Sequence, residues 1–216
     1  MDERDSQAGQ QEVILTIQGI IAKKDLPPFE EKISPSSAHI QFLQQSITLI
    51  GLDMPMFQRA VDNILKIHAM LGCSIGHNNL EQCSMIGSFD NQASIEMSNQ
   101  YFTPQKHAGQ SQELEIPSYI DPKGYLKNAM GKHHVHIEDN IVHYYELTTD
   151  RFGESRFVPT KPIKFQVGDI AEVQVSVILV PLREKKFKST IVLRSMSLMD
   201  GSFTQVRDFH DEVTLN

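Results

Sequence analysis

The stretch HHVHIEDNIVHYYE, residues 133–146, holds four of the nine histidines in the chain and two adjacent tyrosines. Written as a strand, alternate residues share a face, so His134, His136 and Glu138 point one way and His133, Val135 and Ile137 the other. Two imidazoles and a carboxylate on one face supply the ligand types of an iron or zinc centre, with His143 or His210 as further candidates. Such a centre would make the protein a metal-dependent oxygenase or hydrolase. The competing reading needs no cofactor: a solvent-facing strand follows the Gly131-Lys132 turn, and His136, Asp139 and Asn140 close a turn through their side chains.

A second stretch, PLREKKFKST at 181–190, sets Arg183, Lys185, Lys186 and Lys188 around Phe187. Cations for phosphate and a ring for stacking are what a single-strand binder requires. Tyr144 is a further candidate ring. Arg194, flanked by apolar residues in IVLRSMSLMD, needs a partner such as Asp169, Glu172 or Asp200, or a bound anion. The bland alternative is a lysine-rich hairpin tip that keeps the chain soluble and blocks edge pairing.

Other chemistry lacks support. Cys73, His77 and Cys83 in CSIGHNNLEQC have ligand types but not a usual zinc spacing, and two cysteines make neither a disulfide framework nor a four-cysteine zinc site. The phosphate-loop, dinucleotide, serine-hydrolase and zinc-helix motifs are all missing. The formal charge of −7 divides as −8 over residues 1–122 and +1 over 123–216. An acidic chain does not coat nucleic acid indiscriminately, so any such contact has to be local. The polar start MDERDSQAGQQE resembles no secretory or mitochondrial leader, and no apolar run is long enough for a membrane helix. The expectation is a soluble protein of cytoplasm or nucleus that does not engage membranes.

The elements that must position these residues are of two kinds. EVILTIQGII, residues 12–21, alternates as a half-buried strand broken near Gly19. SSAHIQFLQQSITLIGLD spaces Ile40, Leu43, Ile47 and Ile50 by three and four, which predicts a helix capped by Ser36 or Ser37 and stopped at Gly51. DMPMFQRAVDNILKIHAMLGCS predicts a second helix, capped by Asp53, with Pro55 in its first turn and Gly72 at its end. Its buried face would carry Phe57, Val61, Ile64, Leu65, His68 and Leu71. Residues 91–118 are polar and aperiodic, which predicts a long loop or linker. Beyond Pro122 the pattern is that of strands, ending in a long hairpin of Ile170–Val180 with KFKSTIVLRSMSLMDG.

VGDIAEVQVSV, residues 167–177, resembles the first strand of an OB-type barrel, in which a Gly-Asp turn feeds a long curving strand. His136-Ile137-Glu138 resembles the HxD/E element of the iron(II)/2-oxoglutarate oxygenases, without the downstream arginine that anchors the cosubstrate. Cupins offer a similar HxH, but Asn140 or Ile141 stands where their glutamate belongs. HIEDNIVHYYE, RFVPTKPIKFQVGDIAEVQVSVILVPL and STIVLRSMSLMDGSFTQ together resemble an uncharacterised protein group of mushroom-forming (basidiomycete) fungi, over about residues 117–205. That resemblance carries no activity and implies an interaction or nucleic-acid role rather than housekeeping catalysis.

These patterns predict an α+β protein: a disordered tail over 1–11, a helical and strand region over 12–90, the polar segment 91–118, and a mostly antiparallel barrel or sandwich over 119–216. The expected function is a non-enzymatic binding module for single-stranded nucleic acid or a protein partner, with no cofactor. The alternative is the iron or zinc enzyme built on His134, His136 and Glu138.

Overall fold

In strand β1 (Leu15–Asp25), Ile17 and Ile21 are buried while Thr16 and Gln18 are exposed, the alternation that the sequence displays. The computed structural model describes residues 12–32 and 40–201. β1 runs through Gly19 without the expected break. Glycine serves there as a seat: a Cβ would lie 3.0 Å from both the Ile50 carbonyl oxygen and the Phe57 ring.

The segment expected to be the first helix is instead one 3-10 turn (Ile40–Phe42) followed by β2 (Gln44–Ile50). Ile47 and Leu49 are buried two apart, and the third buried position in phase, Gln45, is polar. That polar residue disguises the strand period. The proposed caps Ser36 and Ser37 lie outside the described residues.

The second helix is present as α1 (Pro55–Ile75), with Phe57, Val61 and Ile64 buried as expected. Asp53 does not cap it: Met54 occupies that position, while Asp53 sits at φ 61° in the preceding turn. Nor does Gly72 end it, since the helix continues to Ile75 and stops at Gly76, φ 86°. Leu65 is 43% exposed rather than in the core.

β3 (Ile86–Phe89) and β4 (Gln92–Gln100) form a hairpin through Asp90 and Asn91, both at positive φ, the backbone that a two-residue hairpin turn demands. The first part of the expected 91–118 loop is therefore a strand, with Ile95 and Met97 buried and the polar Asn99 in phase with them. β5 (Thr103–Pro104) pairs with β6 (His134–Val135), on either side of the short helix α2 (Tyr125–Met130). β7 (His143–Thr149) and β8 (Ser155–Pro159) make a second hairpin, and β9 (Ile170–Pro181) with β10 (Phe187–Asp200) makes the long one that the sequence predicts.

Pairing closes in the order β1, β2, β4, β10, β9 and back to β1, antiparallel except where β10 meets β4 at Val192 and Ser98. β3 extends the sheet beyond β4, and β7–β8 beyond β10. This is a five-stranded barrel of the OB kind, and the protein is of the α+β class. Three of the five strands precede residue 101, so the barrel is not confined to the chain after residue 119, and VGDIAEVQVSV supplies the fourth barrel strand rather than the first. Its Gly168-Asp169 turn ties β9 to β1: Gly168 N–H donates to the Ile21 carbonyl at 2.8 Å, and Ile21 N–H to the Asp169 carbonyl at 3.0 Å. The core holds Leu49, Ile95, Val173, Val175, Ile191 and Leu193, each at most 1% exposed, and each worth about 1.5–3 kcal/mol of burial. No helix among the described residues is long and apolar enough to cross a membrane.

Candidate nucleic-acid interface

On β10, Ser189, Ile191 and Leu193 are buried, which leaves Lys188, Thr190, Val192 and Arg194 on the opposite face. All four line one groove of about 430 Å³. Ile178 and Val180 of β9 and Ser98 and Gln100 of β4 contribute to it, Gln44 of β2 and Phe42 lie across it, and Asp139 and Asn140 close one end. The groove thus crosses the outer surface of four barrel strands. Phe42 is 61% exposed there. The β9–β10 tip, which carries exposed Arg183, Lys185 and Lys186, continues it beyond Lys188.

Arg194 stands at a bulge: Leu193 pairs with Val175 and Ser195 with Gln174, leaving Arg194 without a partner on β9. Bulges re-aim side chains. Here the guanidinium lies against Glu12, to which Nε donates at 3.2 Å and Nη2 also donates, while Nη1 donates to the Asp139 carbonyl at 3.0 Å. Asp139 Oδ1 is 3.8 Å away. These partners replace Asp169, Glu172 and Asp200, which the sequence suggested. Burial alone would push the Glu12 carboxyl up, but the Arg194 hydrogen bond, a Ser176 hydrogen bond and the Arg194 charge together outweigh it and hold the carboxyl below its usual range.

The turn that carries Asp139 is fixed from beneath by buried amides. Gln45 and Asn99 face each other across the β2–β4 ladder. Asn99 Nδ2 donates to the carbonyls of Asp139 at 2.9 Å and Leu193 at 3.0 Å. Gln45 accepts from the Tyr144 hydroxyl. The Asn140 side chain accepts from Ile137 N–H at 3.0 Å and from Thr103 Oγ1 at 3.2 Å.

One of the expected stacking rings is thereby corrected, and a second, half-buried, does not share the groove-facing side of β10. Tyr144 is 5% exposed, and burial raises its pKa well above the ordinary value; it braces the interior and offers no face to a base. Phe187 is out of phase with Lys188, and its carbonyl accepts from Glu81 N–H at 2.8 Å, beside the end of α1. Phe42 is the exposed ring of the groove, missed because its segment reads as helix.

The metal reading is not supported. Among the described residues no group of three or more His, Cys, Asp or Glu is placed to hold a metal ion. The alternation that would align His134, His136 and Glu138 ends after β6, because residues 138–140 turn as a 3-10 helix. His136 is 2% exposed with Nδ1 2.9 Å from the Tyr101 carbonyl oxygen, whereas Glu138 is exposed. Burial lowers the His136 pKa, a trend the Tyr101 contact partly offsets. His143 is exposed on β7, and His210 lies outside the described residues. Cys73 Sγ is 3.4 Å from His77 Nε2, while Cys83 packs against the core. His68 is a packed residue, its Nδ1 2.7 Å from Ser189 Oγ.

No family model and no curated protein matches the chain. Among solved structures it is similar to gp2.5, a single-stranded DNA-binding protein encoded by bacteriophage T7, at 15% identity over 88% of this chain and 87% of that one, with a TM-score of 0.45.

Proposed function

We propose that the protein is a non-enzymatic module that binds single-stranded nucleic acid along the β10 groove. The observation that carries this reading is the alignment of Lys188, Thr190, Val192 and Arg194 on one face of β10, opposite the exposed Phe42 ring. A strand laid in the groove would set phosphates against Lys188, Arg194 and the tip residues Arg183, Lys185 and Lys186, and a base against Phe42. Open sheet faces of OB barrels suit this use, because each base can stack without sequence-specific pairing.

The test is fluorescence anisotropy of a labelled oligothymidylate of about ten nucleotides with wild type and with K185E/K186E/K188E. The variant should lose most of the affinity. The logarithmic salt slope should flatten by about 0.7 for each phosphate contact removed. Unchanged affinity sinks the reading. A protein partner is then the second reading, favoured by Ile178 and Val180, 38% and 36% exposed, which give the groove an apolar floor for a peptide.

A further inference from the structure

Three histidines, of which only His134 belongs to the metal reading, line a separate pocket. Pro104, Gln105, Lys106 and His107 form one wall, His133 and His134 the other, around about 390 Å³. The walls are joined by the β5–β6 pairing of Pro104 with His134 and by Gln105 N–H donating to the His133 carbonyl at 2.9 Å. The His134 ring lies 6.2 Å from that of Phe102, which is fully buried and anchors it. Lys106, His107 and His133 are exposed. Every ionisable side chain lining the pocket is a nitrogen base, and no Asp or Glu lines it. In a chain of net charge −7 this is a local reversal of sign.

The pocket also adjoins the groove. Asn140, which lines the groove, accepts a hydrogen bond from Thr103, whose neighbour Pro104 lines the pocket. Two successive Cα positions and one side-chain bond separate the sites, on the order of 10 Å.

We infer that His107, His133, His134 and Lys106 form a second phosphodiester-binding site, which takes the backbone of the same single strand where it leaves the groove. The inference rests on the groove reading above. Its physical basis is that an ammonium and three imidazoles, with no carboxylate among them, present N–H donors and positive charge to a phosphodiester.

The experiment measures binding of oligothymidylates of about 4 and about 12 nucleotides by wild type and K106Q/H107A/H133A. All three substituted residues are exposed, and thermal unfolding checks that the variant is folded. The variant should bind the long oligonucleotide at least about fivefold more weakly than wild type and the short one, which the groove alone accommodates, with little change. Wild-type affinity of the variant for both lengths, or an equal loss for both, overturns the inference and leaves the groove reading intact. Failure of the wild type to bind either oligonucleotide removes both.

Discussion

Glu12 and Arg194, 182 residues apart, are joined by a double hydrogen bond at the edge of the β10 groove. The guanidinium that would meet a phosphate is thus already occupied by a carboxylate, so a ligand must compete with Glu12 for it. E12Q removes the competing charge and should tighten oligonucleotide binding by about two- to fivefold, the scale of a partly exposed ion pair. In an R194Q background the same change should do nothing. A gain that persists there would reduce the effect to general charge and remove the competition. Because Glu12 titrates below its usual range in the folded protein, the contact's contribution to stability is present above the unfolded-state value and fades as the pH falls through the lowered one.

Phe42 offers its ring from the far side of the groove. F42A should weaken single-strand binding by about 1–3 kcal/mol, the usual worth of one base–aromatic stack. Being 61% exposed, the residue should cost little stability when truncated, so the unfolding midpoint serves as the control. Equal affinities of wild type and variant would exclude Phe42 as a stacking platform.

His136 predicts a pH dependence of folding. Burial lowers its folded pKa, so below the ordinary histidine value of about 6.5 the unfolded chain takes up a proton that the folded chain refuses. Stability should hold above that pH, decline as the pH falls beneath it, and stop declining below the lowered value. Urea midpoints at about pH 7.5 and about pH 5.5, for wild type and H136Q, measure this. A decline just as steep in H136Q would assign the effect to other groups.

The sequence showed the helix Pro55–Ile75 and the β9–β10 hairpin clearly, because Phe57, Val61 and Ile64 keep helical spacing and because Val173 and Val175 keep strand spacing. It hid β2 and β4 for one shared reason. Each places an amide, Gln45 or Asn99, on its buried face, and the two meet across the ladder. A buried amide reads as solvent-facing until its partners are known, and those partners, Tyr144 and the carbonyls of Asp139 and Leu193, are distant in sequence. The basic tip and Arg194 were visible as charges, but Tyr144, expected as a stacking ring, is buried. Whether Tyr144 or Phe187 faces solvent depends on strand phase, and a slip of one residue reverses it, whereas Phe42 lies in the 3-10 turn that precedes β2.

The bulge at Arg194 shifts that phase within β10. Before it the odd-numbered residues Ser189, Ile191 and Leu193 are buried; beyond it the fully buried apolar residue is the even-numbered Met196. The strand is in effect two rulers joined with an offset of one mark, the first graduated for β4 and the second for β7. Deleting a single residue there would close the offset and make one continuous ruler, so that either Lys188, Thr190 and Val192 or the contacts to β7 would have to lose their place.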